Sequence, residues 1–469
     1  MKRTKILATI SDLKCDINFI QELRDLGMNG VRLNTAHQMP EDTLKVVANI
    51  RKVSKDIPIL VDTKGPEVRT KGLKEPLFVS KGQEITIFST EDFTSDTPAI
   101  ATNYEKFVSL LKTGTTILID DGDVGLKVKE EGTQKIICEV LNAGSIGKNK
   151  SINVPGVHID LPSLTKKDKL YVEFCSDNDI DFIAHSFVRN KEDVIEIQEM
   201  LNKKNSKVKI IAKIENQEGV DNIDEILDHV YGVMIARGDL GIEIPAERIP
   251  AIQKMLVSKC IARKKLVITA TQMLHSMIKN PRPTRAEVSD IANAIIDGTD
   301  VLMLSGESAY GDYPHEAVST MTKIARELEN DNLFKVERVV DMQAEVPAFI
   351  AKTAEKAASE LPIKAIITNT LTGKTARYLS AHRGKNKIFT ECYEGRVVRE
   401  LALSYGIFPI LSELNEGPVA FIKRTTEFVQ KRENLSDEDL LLILGGNFGP
   451  KNGGSFIEIG KIKDIKANN

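Results

Sequence analysis

The fold turns on one stretch, Pro58-Ile59-Leu60-Val61-Asp62-Thr63-Lys64-Gly65-Pro66-Glu67-Val68-Arg69-Thr70. Its first part, Pro58–Asp62, is an apolar run of strand length that stops in charge. Its second part carries both signs of charge and hands over to a different rhythm. Working backward, Gly30–Leu33 and Lys5–Thr9 read as two earlier strands. Between the three lie two helical stretches, Asn18–Leu26, with Phe19, Leu23 and Leu26 on one stripe, and Thr43–Val53. Working forward, Thr70 to about Val157 reads as all-β, in short alternating runs such as Glu84–Phe88, Thr116–Ile119 and Lys135–Val140. Turns are supplied by Asp121-Gly122 and Asn142-Ala143-Gly144.

The β/α rhythm resumes near Leu161. Strands are expected at Asp181–Ala184, Lys209–Lys213, Gly232–Ala236, Leu266–Ala270 and Val301–Leu304. Thr284 and Glu287, three apart, fit a capping box opening one of the intervening helices. Three strands before the all-β segment and five after it make eight β/α units, which predicts an α/β fold built on a (β/α)8 TIM barrel. Strand counting alone also admits an open doubly wound sheet. A third region from about Pro347 alternates strands at Lys364–Thr368, Lys387–Thr390 and Leu440–Leu444 with helices, a smaller α/β domain. The expected domains are therefore a barrel over residues 1–69 and 158–338, an inserted β domain over 70–157, and a C-terminal α/β domain over 339–469.

The chain has 469 residues, about three domains' worth. It is 41% hydrophobic and 28% charged, the balance of a soluble globular protein. A formal net charge of −3 argues against charge-driven binding of nucleic acid or membrane. The absence of Trp and the 5% aromatic content argue against base-stacking platforms. Five widely spaced cysteines with no C-x-x-C fit reduced thiols in a cytoplasmic protein. No apolar run is long enough to span a bilayer.

In a barrel, function gathers at the C-terminal ends of the strands. Strand two ends in Arg32-Leu33-Asn34-Thr35-Ala36-His37 and strand three in Asp62–Thr70. Strand five ends in Lys213-Ile214-Glu215-Asn216, strand six in Arg237-Gly238-Asp239-Leu240-Gly241, strand seven in Thr271-Gln272, and strand eight in Ser305-Gly306-Glu307. Lys213 and Glu215 are two apart on a strand and share a face. Glu215 and Asp239, on adjacent strands, are suited to hold one hard divalent cation. Lys213 beside it offers a point charge to a phosphoryl group, Gly238 offers backbone N–H to a carboxylate, and Arg32 and Arg69 offer guanidinium forks to phosphates. Taken singly these have bland readings. A Lys–Glu pair is ordinarily a solvated ion pair, and an Asp at a strand end ordinarily caps a helix. Arg237-Gly238-Asp239 is not read as an adhesion tripeptide in its apolar strand context. Six strand ends carrying charge to one mouth are harder to explain structurally.

At these residues the sequence resembles the pyruvate kinase family, in order along essentially the whole chain. The most specific stretches are Lys213–Asn216, Ala236–Gly241 and Pro281–Glu287. Arg3–Ile6, Asp120-Asp121-Gly122, Asn153–Gly156, Ala270–Leu274 and Leu304–Glu307 add to them. The resemblance implies phosphoryl transfer from phosphoenolpyruvate to ADP, giving pyruvate and ATP. It implies that Arg32 contacts the substrate phosphate and that Lys213 stabilises the moving phosphoryl group. Glu215 and Asp239 ligate Mg²⁺ (or Mn²⁺), while the Gly238 backbone and Thr271 hold the carboxylate. Thr271 lies near the site of enolate protonation. Arg69, Lys150, Asn34 and His37 face the nucleotide. The inserted domain becomes a lid that excludes water, and the assembly a cytoplasmic homotetramer. A Mg²⁺-dependent carbon–carbon lyase or aldolase, and a non-catalytic phosphometabolite sensor, are the competing readings. Lys213, Arg69 and the insertion favour the kinase over the first, and the intact Lys213, Glu215, Asp239 and Thr271 over the second.

Two departures from the family pattern carry expectations. The K⁺ ligands align with Asn34, Ala36, Asp62 and Thr63, and Ala36 lacks the hydroxyl found there in the family. Glu67 is the residue type of K⁺-dependent members, so K⁺ activation is expected to be retained but weakened. In the C-terminal domain, Thr370, Thr372, Gly373, Lys374 and Thr375 resemble the effector phosphate loop, and the later loop Gly445–Gly453 lacks the Trp and Arg of many fructose-bisphosphate-activated members. A different phosphorylated effector is expected.

Overall fold

The computed structural model describes residues 1–36, 38–330, 338–341, 345–413, 417–446 and 454–468; His37 and residues 447–453 of the expected effector loop lie outside them. The chain begins with β1 (Lys5–Thr9), β2 (Gly30–Asn34) and β3 (Ile59–Asp62). The inserted segment supplies β4 (Val68–Lys71), β5 (Leu77–Val79), β6 (Glu84–Phe88), β7 (Ala99–Thr102), β8 (Thr116–Ile119), β9 (Val124–Glu130), β10 (Lys135–Val140), β11 (Gly144–Ile146) and β12 (Ser151–Asn153). The α/β rhythm then returns with β13 (Phe182–His185), β14 (Lys209–Ile214), β15 (Gly232–Ala236), β16 (Leu266–Ala270) and β17 (Val301–Leu304).

β1, β2, β3 and β13–β17 pair in parallel with their sequential neighbours and close into one barrel. β13 joins β3 across the insertion, with Phe182 beside Leu60, and β17 joins β1, with Val301 beside Lys5. Most strand residues are buried on both faces, which is why β3, β15, β16 and β17 read as nearly continuous apolar runs, while β2 and β14 carry Arg32 and Lys213 within theirs. Leu7, Leu60, Phe182, Ile211, Met234 and Ile268 fill the interior. Their neighbours Ile6, Val61, Ile183, Ile210 and Val233 point outward against the helices. Burial of each such side chain contributes about 1.5–3 kcal/mol. The expected capping box is present: Thr284 N–H donates to Glu287 at 2.7 Å and Glu287 N–H to the Thr284 hydroxyl at 3.2 Å. That helix, Arg285–Asp297, stops at Gly298, whose φ of 98° is one that only glycine adopts cheaply.

The insertion forms a second, closed barrel in the order β10-β6-β7-β4-β12-β8-β9, with β5 and β11 as a side ribbon. Its core is separate, centred on Ile85, Ile87, Ile117, Leu126, Val128 and Ile136. The C-terminal domain is a five-stranded sheet built from β18 (Ile363–Thr370), β19 (Lys387–Cys392), β20 (Ile407–Leu411), β21 (Leu440–Gly446) and β22 (Gly454–Lys461). Its order is β20-β19-β18-β21-β22, with β22 antiparallel on one edge. The two edge strands, β20 and β22, were not expected from the sequence. Pro409 reads against a strand, as proline is confined to edges and bulges. The domain is mounted on the floor of the first barrel, where Leu403 packs into the barrel's interior cluster. Lys5 donates its ammonium to the Ile407 carbonyl at 2.6 Å beneath the Phe408 ring.

Candidate active site

The C-terminal ends of the strands place Arg32 (β2), Asp62 (β3), Lys213 (β14) and Glu215 in one buried cluster. Asp62 is 1% exposed and Glu215 is 1% exposed. The Lys213 ammonium lies 2.9 Å from Glu215 Oε1 and 3.6 Å from Asp62 Oδ2, and donates to the Ser186 hydroxyl at 2.7 Å. Arg32 grips the same Asp62 oxygen with two nitrogens, Nε at 2.9 Å. One carboxylate therefore orients two cations toward one point above the barrel.

Burial alone would drive these groups toward neutrality, and the neighbours decide otherwise. For Lys213, burial is overcome by Glu215, Asp62 and Asp239, which hold its proton well above the usual range. For Asp62, burial is overcome by Arg32 and Lys213, and the carboxyl sits below its ordinary value. Glu215 goes the other way: burial, reinforced by Asp239 and opposed by Lys213, raises its proton affinity. The cluster thus keeps its cations charged and holds a carboxylate whose charge is under-compensated.

Asp239 follows β15 on the short helix Arg237–Glu243 and faces the same cleft as Glu215. Two repelling carboxylate oxygens at a cleft wall fit a hard divalent cation completed by substrate and water. Among the described residues no group of three or more His, Cys, Asp or Glu is placed to hold a metal, so any such ion draws ligands from outside the chain. Asp62 Oδ1 is buried with no hydrogen-bond partner, an oxygen that a monovalent cation would satisfy. The other members of that expected set fit less well. Asn34 turns its Oδ1 onto the Ala36 N–H at 3.1 Å, and the Thr63 hydroxyl accepts from Ser186 N–H at 2.9 Å. Thr35 donates to the Asp62 carbonyl at 2.7 Å and does not replace the hydroxyl missing at Ala36.

Gly238 N–H, expected to be exposed, is bonded to the Thr271 hydroxyl at 2.7 Å, which in turn donates to the Ala270 carbonyl. A substrate carboxylate arriving there has to displace that contact. Thr271 and Gln272 are consecutive non-glycine residues at φ 66° and 54°, a strained turn. Arg237 holds it, donating to the carbonyls of Thr271 at 2.8 Å and Ala270 at 3.3 Å while paired with Asp290. Glu307, 2% exposed, accepts from Ser305 and Leu274 N–H and ties strand seven's loop to strand eight's.

The second barrel faces this mouth across a cleft of about 360 Å³, lined by Glu215, Asp239 and Asn216 on one side and by Glu67, Asp121 and Ser151 on the other. Arg69 stands on β4, braced by Glu67 at 3.0 Å and donating to the Asn149 carbonyl at 2.6 Å. Lys150 pairs with Asp120 at 2.6 Å. Lys167, absent from the strand-end reading, donates to the Ala36 carbonyl at 3.2 Å and brings a further cation to the end of β2. It sits in a helix's first turn, and only the Lys166-Lys167 pair in the sequence hints at it. In the C-terminal domain the Thr370 hydroxyl accepts from Gly373 N–H at 2.9 Å, at a φ of 81° that requires glycine. Thr375 is buried, Thr372 is exposed, and Lys374 turns away to Glu345 at 2.6 Å.

A family model described as Pyruvate kinase, barrel domain, matches residues 1–318, and one described as Pyruvate kinase, alpha/beta domain, matches residues 348–459. The chain is 47% identical over 482 residues to a pyruvate kinase of Borreliella burgdorferi, covering 100% of this chain and 99% of the relative. It is 42% identical over 456 residues to a pyruvate kinase of Clostridium acetobutylicum, covering 95% of this chain and 96% of the relative. A crystal structure of a pyruvate kinase from Cryptosporidium parvum superposes with a TM-score of 0.91 at 35% identity, covering 98% of this chain and 96% of that one.

Proposed function

The chain belongs to the pyruvate kinase family, and from that premise we propose how its barrel mouth divides the labour of transfer from phosphoenolpyruvate to ADP. The enzyme is a phosphotransferase that forms pyruvate and ATP, the last step of glycolysis. The family generally depends on Mg²⁺ and K⁺. The observation that carries the assignment of roles is the shared grip of Arg32 and Lys213 on Asp62, with Glu215 2.9 Å from Lys213.

Phosphoryl transfer asks the protein for position and charge stabilisation, with little covalent chemistry. Arg32 receives the substrate phosphate. Lys213, kept charged by its carboxylates, faces the phosphoryl group as it leaves the enol oxygen. Glu215 and Asp239 would hold Mg²⁺, which supplies neutralisation of the charge on phosphoryl and enolate oxygens. Gly238 and Thr271 take the carboxylate, and Thr271 lies near the carbon at which the enolate is protonated to give pyruvate. Arg69 and Lys150 meet the ADP phosphates, with Asn34 on the nucleotide side, and closure of the second barrel over the cleft excludes water that would otherwise accept the phosphoryl group.

The K⁺ set is Asn34, Asp62 and Thr63, with one ligand short at Ala36. The loop Thr370–Thr375 is read as the cradle of a phosphorylated effector, and the working form as a cytoplasmic homotetramer. A lactate-dehydrogenase-coupled assay with phosphoenolpyruvate and ADP tests the whole. Pyruvate formation is expected to require Mg²⁺ and to rise modestly with K⁺. No Mg²⁺-dependent formation overturns the assignment of roles, and full activity without K⁺, unchanged on adding it, overturns the K⁺ set alone.

A further inference from the structure

Phe187 stands two residues past β13, where the chain turns toward the helix Lys191–Lys203. Its φ of 57° lies in the left-handed region, and among the described residues it is the only aromatic residue there. For a bulky side chain this backbone is costly and persists only where the surroundings impose it. Both flanks are tied down. Ser186 N–H donates to the Thr63 hydroxyl at 2.9 Å, and the Ser186 hydroxyl donates to the Thr63 carbonyl at 2.7 Å while accepting from Lys213. On the other side, Asn216 donates to the Val188 carbonyl at 3.4 Å and Asn222 to the Arg189 carbonyl at 3.0 Å. The ring is clamped as well. A Cβ on Gly65 would lie 2.6 Å from Phe187 Cδ2, so only glycine, itself at φ 72°, leaves room for it.

The strained turn aims one group. Phe187 N–H donates to Glu215 Oε2 at 2.7 Å, across the pairing of β13 with β14. Lys213 lies 2.9 Å from the other oxygen, Oε1. The two oxygens of one buried carboxylate thus have different partners, a fixed backbone donor and a mobile side chain. Turning φ to the ordinary negative region would swing the N–H away from Oε2 or pull the Val188 carbonyl off Asn216. Mg²⁺ demands near-ideal octahedral geometry, so a carboxylate pinned at one oxygen presents the other in one direction. Gly65 lies three residues before β4, so the contact that clamps the ring is also the root of the second barrel.

We propose that Phe187 is a positioning residue for the metal carboxylate: its left-handed backbone, held by Thr63 and Gly65, pins Glu215 Oε2 and leaves Oε1 beside Lys213 to meet a divalent cation. This rests on the reading of Glu215 as a metal ligand. The test titrates Mn²⁺ alone into the full-length, metal-free enzyme and reads free Mn²⁺ by electron paramagnetic resonance, with the melting temperature recorded for every variant. Two substitutions remove the ring and differ in backbone: Phe187→Gly adopts a φ of 57° freely, and Phe187→Val, being β-branched, does not. Phe187→Val is expected to weaken Mn²⁺ binding about tenfold or more, the scale of a lost hydrogen bond to a charged group. Phe187→Gly is expected to stay within about threefold of the unsubstituted chain, since it can keep the same N–H in place. Gly65→Ala leaves Phe187 intact but drives its ring away; it is expected to weaken binding about fivefold or more, and it carries the test where Phe187→Val does not fold. Equal weakening in Phe187→Gly and Phe187→Val makes the ring a packing contact and overturns the proposal. Unchanged binding in Phe187→Val, or in Gly65→Ala where that variant stands in, overturns it too. Glu215→Gln separates this role from the reading beneath it. If Glu215→Gln binds Mn²⁺ as tightly as the unsubstituted chain, Glu215 is no metal ligand and both fall. If it loses Mn²⁺ while Phe187→Val does not, the positioning role alone falls.

Discussion

The two ends of the parallel barrel use buried charge in opposite ways. At the floor, Asp181 receives Arg51 at 3.2 Å, Arg399 at 2.6 Å and the Ile59 N–H at 2.9 Å. Asp300 likewise receives Arg383 at 2.8 Å and the N–H groups of Val267 and Tyr405 at 3.0 and 2.8 Å. Every oxygen has a protein partner, and the partners reach across the seam to the C-terminal domain. At the mouth, Asp62 keeps one oxygen unbonded, and Lys213 faces more negative charge than it neutralises. A saturated carboxylate builds structure. An unsaturated one leaves capacity for a metal ion. The division follows the general separation of catalytic and stabilising faces in such barrels.

Removing a charge from each end should therefore have different consequences. Lys213→Met is expected to lower kcat by about 10³-fold, the scale of losing one preorganised charge contact in a transition state, with little change in melting temperature. A variant retaining near-normal kcat would break the comparison at its functional end. The second effect belongs to His185, at the end of β13. Burial holds its ring at about 4, although Asp193, Asp168 and Glu196 pull the other way. The folded state binds its proton far more weakly than the unfolded chain, whose histidine titrates near 6.5. Stability is thus fully present above about pH 6.5 and is lost as pH falls toward 4, by about 3 kcal/mol. Urea midpoints measured from pH 7 to 4 should flatten in His185→Leu, and an unaltered acid limb would count against the assignment. Smallest is Arg399→Met at the floor. Complete loss of a buried partner costs about 3–5 kcal/mol, but Arg51 still holds Asp181, so about 2 kcal/mol is expected. Kinetic constants at saturating substrates should stay put. A fall in kcat with stability unchanged would reverse the roles of the two ends.

The legible parts of the molecule were those in which neighbouring residues in sequence do the work. Gly232–Ala236, Leu266–Ala270 and Val301–Leu304 are strands as read, because strands buried on both faces write their burial as a continuous run. Thr284 and Glu287 announce their helix because the cap is local. Strand-end charge located Arg32, Asp62, Lys213 and Glu215, since barrel geometry sends all strand ends to one mouth. What was not legible depends on distant partners. Arg399 finds Asp181 only because the C-terminal domain docks on the floor, and Arg237 holds Thr271 through carbonyls that carry no side-chain signature. β20 and β22, at sheet edges, bury too little to leave a pattern. The side chain of Asn34 folding back onto Ala36 N–H likewise follows from a turn that residue types alone did not specify.

The insertion between β3 and β13 also sets an order of events during synthesis. The second barrel is complete once Asn153 has emerged, whereas the seam of the first waits for Val301–Leu304 to meet Lys5–Ala8. At about 5–20 residues per second, the earlier-made barrel has roughly eight to thirty seconds to fold before its host can close. Throughout that interval the edge of β1 that β17 will cover is open to other chains. The guest is thus ready first and the host last, so the nascent enzyme passes its period of greatest aggregation risk with a finished second barrel and no site beneath it.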